Sequence, residues 1–127
     1  MAWDQCSLNM TKNVKGSWVG VSLPPGYSLV PTHYALRHGF YGGQCRLRHW
    51  ELRGSSDGKE WEVLKKHNDD RSLPDEGFGI AHWPLDTTKA FSHFRVHQTG
   101  YNSASDINSS SINILFCAGI ELFGQLD

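Results

Sequence analysis

The chain has 127 residues, enough for one domain with a single core and too few for a catalytic unit joined to a regulatory one. With 39% hydrophobic and 20% charged residues and fifteen aromatics (Trp 5, Tyr 4, Phe 6), it has the composition of a folded domain rather than a disordered tail. A net charge of -1 removes the broad attraction to polyanions on which most nucleic-acid and anionic-membrane binders rely, so no nucleic-acid partner is expected.

In chain order, residues 1–16 are polar and are expected to form a poorly ordered N-terminal segment ahead of a domain spanning residues 17–127. No run approaches the length of a membrane span, and the N-terminus lacks the basic and apolar regions of a signal peptide. Residues 17–23 alternate, with Val19, Val21 and Leu23 on one face, and Pro24-Pro25-Gly26 ends that strand. Residues 27–30 and 33–37 read as two short extended pieces interrupted by Pro31. The strongest local signal is residues 49–64, two alternating runs joined by Asp57-Gly58. This predicts a hairpin in which Trp50 and Leu52 face Trp61 and Val63. A polar loop, 66–79, precedes a short strand at 80–84. Residues 90–98 alternate again, with Phe94 and Val96 opposite His93, Arg95 and His97. The last run, 111–123, is apolar and reads as a long strand bent at Ala118-Gly119. No segment carries an apolar stripe at helical spacing. Six to eight short strands separated by Gly, Pro, Asn and Asp predict an all-β antiparallel sandwich of jelly-roll type, with Val19, Val21, Leu36, Trp50, Leu52, Trp61, Val63, Phe94, Val96, Ile112, Ile114 and Ile120 in its core.

The three cysteines, Cys6, Cys45 and Cys117, are too few and too irregular for a disulfide framework or a zinc site, which points to reduced thiols. A Cys6–Cys117 bridge is the competing reading. Gly54-Ser-Ser-Asp-Gly58 spells a nucleophile elbow, but that motif works on a strand-to-helix turn and here it occupies a hairpin. His93 and His97 stand about 13 Å apart along a strand, too far to share one zinc ion. Asp69 and Asp70 have the chemistry of paired carboxylates, although such pairs more often solvate a loop or cap a turn. Arg37, His38, Arg46, Arg48, His49 and Arg53 form a basic enrichment interleaved with aromatics, which strand alternation divides between two faces.

Five strings carry a family resemblance: Tyr34-Ala-Leu-Arg-His-Gly39, Leu47-Arg-His-Trp-Glu-Leu-Arg-Gly-Ser-Ser-Asp-Gly58, Trp61-Glu-Val-Leu64, His67-Asn-Asp-Asp70 and Gly119-Ile-Glu-Leu-Phe-Gly124. In this order and spacing, over residues 17–126, the chain resembles the discoidin-like domain, or coagulation factor type C domain, of the galactose-binding-like superfamily. The flavour is the intracellular one, found in BTB-domain proteins and HECT-type ubiquitin ligases. The resemblance implies a non-catalytic recognition module within a larger intracellular protein such as a ligase or adaptor, binding a protein segment through loops at one end of the sandwich. A secreted carbohydrate- or lipid-binding module is the alternative, and a small hydrolase using Ser56 a distant third. The resemblance also implies no cofactor, with calcium at Asp69 and Asp70 as the departure that some relatives suggest. The expected contact residues lie on loops 37–46, 66–79 and 100–110: Arg37, His38, Tyr41 and Arg46; His67, Asn68, Asp69 and Arg71; Tyr101 and Asn102. Arg46, Arg71 and Tyr101 are expected to touch the ligand together.

Overall fold

The computed structural model describes residues 2–4 and 11–127, with side chains from residue 11 onward, so Cys6 and its pairing lie outside the described residues. The described residues form eight strands: β1 (Ala2–Asp4), β2 (Trp18–Ser22), β3 (Leu29–Arg37), β4 (Trp50–Ser55), β5 (Glu62–His67), β6 (Ile80–Pro84), β7 (His93–Gln98) and β8 (Gly119–Leu126). A 3-10 helix, Ser103–Ile107, lies between the last two. The strands form two four-stranded sheets of order β1-β8-β3-β6 and β2-β7-β4-β5, and every pairing is antiparallel. That order, in which the chain crosses between the sheets at every connection except the β4–β5 hairpin, is the jelly roll expected from the sequence.

The alternation of β7 holds along its whole length. Phe94 and Val96 are buried while His93, Arg95 and His97 face out. The core between the sheets is built from Leu29, Tyr34 and Leu36 of β3, Trp50 and Leu52 of β4, Trp83 of β6, Phe94 and Val96 of β7, and Ile120 and Leu122 of β8. At about 25 cal/mol per Å² of apolar surface removed from water, this cluster is the main stabilising force of the fold.

Three sequence expectations are corrected. The pieces expected at 27–30 and 33–37 merge into one strand, β3, which starts only at Leu29 and passes through Pro31 with a register irregularity between Pro31 and His33. Its partner there is Gly124 of β8, where any Cβ would collide with the Val30 carbonyl, so the two backbones approach in a way only glycine permits. The hairpin of β4 and β5 exists, but Leu64 is an extra residue between the Leu52–Lys65 and Arg53–Val63 pairs. That bulge turns Val63 and Trp61 away from the core, leaving Val63 exposed and Trp61 half-buried. Finally, residues 111–118 are not strand. Ile112, Ile114 and Phe116 pack with Phe40, Cys45 and Ala104 in a small second cluster at one end of the sandwich. Cys117 is buried, its sulfur 3.4 Å from the Gly119 carbonyl.

Candidate functional site

Antiparallel pairing puts the ends of β3, β5 and β7 and the starts of β2, β4, β6 and β8 on the same side of the molecule. The connections 38–49, 68–79 and 99–118, and the segment 11–17 that leads into β2, therefore share one end, here the loop end. The short connections 23–28, 56–61 and 85–92 share the other. The segment 11–17 is tied to the loop end by Thr11 N donating to the Leu115 carbonyl at 2.9 Å and by Asn13 Nδ2 donating to the Ser110 carbonyl at 2.9 Å.

The three long loops brace one another. Arg46 N donates to Ser103 Oγ at 2.8 Å and the Arg46 carbonyl accepts from Ser103 N at 2.8 Å. Phe78 N donates to the Phe40 carbonyl at 2.9 Å, and Asp70 N to the Arg48 carbonyl at 2.8 Å. Arg48 reaches Asp106 at 2.9 Å and Arg46 reaches Asp75 at 3.7 Å. The Asp106 carboxyl is held below the usual carboxylate range, first by the hydrogen bond from Arg48. Asn102 has no exposed surface and works as an internal clamp. Its Oδ1 accepts from Ala104 N at 2.8 Å, capping the 3-10 helix, and its Nδ2 donates to the carbonyls of Ser111 and Ile114 at 2.9 and 2.8 Å. All four non-glycine residues with positive φ among the described residues, Cys45, Asp69, Phe78 and Asn108, sit on these loops.

Beneath them lies a closed polar chain. Asp70 accepts from Trp83 Nε1 at 3.0 Å and from Ser72 N at 2.9 Å, and its Oδ2 lies 2.7 Å from His67 Nδ1. A carboxylate only accepts, so His67 carries its proton on Nδ1 and presents Nε2 as an acceptor to the Tyr34 hydroxyl at 2.5 Å. Trp50 Nε1 completes the chain by donating to the Tyr34 oxygen at 3.0 Å, and its ring stacks on His67 at 3.9 Å. Burial pushes the His67 imidazole below its ordinary range, partly offset by Asp70, and pushes the Tyr34 hydroxyl far above its own. Although the trio of Asp, His and hydroxyl has the composition of a catalytic relay, Tyr34 has no exposed surface and resists ionisation, so the group cannot attack a substrate.

The sequence-predicted contact residues therefore divide. His38 is buried and meets Phe116 edge-on at 6.0 Å, and burial lowers its pKa; His67 and Asn102 are buried in the networks above. Arg37 is half-buried at the end of β3. Tyr41, Arg46, Asn68, Asp69, Arg71 and Tyr101 reach the surface of the loop end, and Arg46 and Arg71 both act on the Asp106 carboxyl. Arg46 and Tyr41 line a groove of about 630 Å³ with Phe40, Asp75, Asp106 and Ile107. Tyr101 lines another, of about 370 Å³, with Lys15, His49, Gln98, Thr99 and Asn113. Arg71 pairs with Asp69 at 3.2 Å, and Asn68 Oδ1 lies 3.1 Å from His49 Nδ1.

Sequence reasoning named Tyr41 and Tyr101 on this surface but missed Phe78 and Ile107. Tyr41 is 79% exposed, Ile107 73%, Tyr101 52% and Phe78 45%. Phe78 and Ile107 are large apolar residues inside otherwise polar loops, which is the signal that could have marked them. Among the described residues no group of three or more His, Cys, Asp or Glu side chains is placed to hold a metal ion, and no helix is long and apolar enough to cross a membrane.

No protein-family model matches the chain. Curated relatives do. The chain is 37% identical over 128 residues to E3 ubiquitin-protein ligase Ufd4 of Drosophila melanogaster, an alignment covering 97% of this chain. It is 40% identical over 103 residues to E3 ubiquitin-protein ligase hecd-1 of Caenorhabditis elegans, covering 80%. It is 31% identical over 108 residues to a BTB/POZ domain-containing protein of Arabidopsis thaliana, covering 85%. The aligned part is 4% of each ligase and 13% of the BTB/POZ protein. Among solved structures, CBM62 from Clostridium thermocellum Xyl5A superposes with a TM-score of 0.58 at 20% identity, covering 88% of this chain and 70% of that one. The family 32 carbohydrate-binding module of Streptococcus pneumoniae EndoD superposes with a TM-score of 0.57 at 9% identity, covering 91% and 74%. The topology, the ordered motifs and these relatives agree: the chain is a discoidin-like β-sandwich of the galactose-binding-like fold, of the type carried by E3 ubiquitin ligases and BTB-domain proteins.

Proposed function

We propose that this domain is a non-catalytic recognition module that binds a protein segment at the loop end, inside the cell and as part of a larger protein of the ubiquitin-ligase or adaptor kind. The observation that carries the reading is the makeup of the larger groove. Its exposed lining is apolar at Tyr41 and Ile107, while the charged groups around it pair with one another, Arg48 with Asp106 at 2.9 Å and Arg46 with Asp75 at 3.7 Å, leaving Arg46 Nε as a single buried donor without a partner among the described residues. A sugar, rich in hydroxyls, needs uncommitted donors and acceptors converging on it. A protein segment gains more from an apolar anchor ringed by paired charges. Backbone strain concentrated on the three loops fits a surface held in a set shape for a partner. The ligase relatives favour a protein partner as well.

A glycan is the second reading, favoured by the fold: one solved neighbour of this shape, at a TM-score of 0.53, is a Clostridium perfringens module in complex with GalNAc-beta-1,3-galactose. The two readings separate in one design. A photo-crosslinking residue at Tyr41 is compared with one at Tyr27, on the opposite end, in cell extract, while the unlabelled domain is screened on a glycan array. Crosslinks to a defined protein at Tyr41 alone, abolished by Ile107→Asp, support the proposal. Saturable binding of galactosides without such crosslinks overturns it.

A further inference from the structure

A second surface lies away from the loops, on the outer face of the β2-β7-β4-β5 sheet. There the guanidinium carbon of Arg95 is 3.7 Å from the centroid of the Trp18 ring and 4.0 Å from that of the Trp61 ring. Two rings cannot both come so near one carbon from the same side. The strand order explains the sandwich: Trp18 comes from β2 on one flank of β7, and Trp61 precedes β5 on the other. Gly20, paired with Arg95, makes room for it, because a Cβ at that position would lie 3.2 Å from Arg95 Cγ and 3.5 Å from the Trp18 ring. With both faces of the guanidinium covered, only its planar edge of N–H donors points to solvent, the geometry that receives a carboxylate.

The edge is uncommitted. Arg95 makes no side-chain hydrogen bond or ion pair among the described residues, whereas its neighbour Arg53 is neutralised by Glu51 at 2.7 Å. By register, Arg53, Arg95 and Lys66 share this face with the single acid Glu51. His97 lies on it too, its imidazole held below the ordinary range by burial and by Arg53 and Arg95. A groove of about 330 Å³ runs past the stack between Trp18, Gly20, Ser22, Trp61 and His93. Trp18 is 47% exposed, a large aromatic surface left to water.

We propose that this face docks an acidic protein segment, an Asp or Glu carboxylate meeting the edge of Arg95 while an adjacent apolar side chain lies against Trp18 or Trp61. The site is separate from the loop end and does not depend on what binds there. Excess positive charge selects an anion, and the exposed indole of Trp18 with the half-buried one of Trp61 selects one that brings apolar surface with it, as a free inorganic anion does not.

The test is an NMR titration of the whole domain, following the indole N–H signals of Trp18 and Trp61. The probes are a peptide of alternating Glu and Leu, its Gln and Leu counterpart, and inorganic phosphate. Saturable shifts at both indoles with the acidic peptide, at least tenfold weaker with the Gln peptide and at least tenfold weaker for Arg95→Gln and Arg95→Lys, support the proposal. The lysine variant keeps the charge and loses the planar edge. Equal binding of the Gln peptide overturns it, as does phosphate binding as tightly as the acidic peptide, or an unchanged affinity in folded Arg95→Gln. The peptide comparison needs no variant, so it stands even where a substitution unfolds the domain.

Discussion

The buried chain of Tyr34, Trp50, His67, Asp70 and Trp83 and the loop rim above it are built from similar residue types and behave oppositely. In the chain each donor meets an acceptor out of water, so its members hold the two sheets in one arrangement. On the rim, pairs such as Arg71 with Asp69 stand in solvent and restrain little beyond their own loop. Polar residues in this domain thus cannot be sorted into structure and recognition by type, only by depth.

Four measurements sharpen that contrast. The largest effect is expected from Trp50→Ala, which leaves a cavity in the core and strips the Tyr34 oxygen of its donor. Chemical denaturation should show a loss of about 3–5 kcal/mol, and a loss under about 1 kcal/mol would place Trp50 outside the core. Asn102→Ala comes next. It removes a helix cap and leaves the carbonyls of Ser111 and Ile114 without their donor, for a cost of about 1–3 kcal/mol, although a surface role would make it neutral.

Acid should act through the chain. The His67 imidazole stays neutral in the fold below its ordinary value near 6.5, so the unfolded state takes up a proton first. Stability is then full above about pH 6.5 and declines as pH falls below it. His38 adds to the decline in the same sense. Asp70 contributes at lower pH, because burial raises its pKa but the hydrogen bonds from Ser72 and His67 outweigh that and hold it low. Melting curves between pH 8 and pH 5 should show the midpoint dropping on the acid side, and a midpoint rising there would refute the neutral imidazole. The smallest effect is expected from Arg71→Ala, about 0–1 kcal/mol, since both partners of its ion pair are more than half exposed.

Much of this fold was legible because period 2 is a local signal. The faces of β2, β4 and β7 follow directly from Val19 and Val21, Trp50 and Leu52, Phe94 and Val96. What misled was a single residue: Leu64, bulging from β5, reversed the outlook of Trp61 and Val63, and no pattern in the hairpin announces it. The run at 111–118 misled differently. Its apolar side chains are split between a satellite cluster, Ile112, Ile114 and Phe116, and the main core, Leu115 and Cys117, while its carbonyls at Ser111 and Ile114 go to Asn102, nine or more residues away. On the loop end, the sequence identified three loops that strand pairing does gather at one end, but not the depth of their residues. His67 reads as a loop histidine until Trp50 and Tyr34, distant in sequence, are seen to enclose it.

The alternation of connections between the two ends has a practical side. The connection at 85–92 is at the opposite end from the three long loops, and its side-chain ion pair among the described residues, Lys89 with Glu62, is exposed at both partners. A fluorophore or an inserted tag near Asp86 would leave both sheets and the loop end intact. Such a handle would report the distance to a crosslinked partner at Tyr41 across the long axis of the sandwich, turning the domain into a ruler for the larger assembly that carries it.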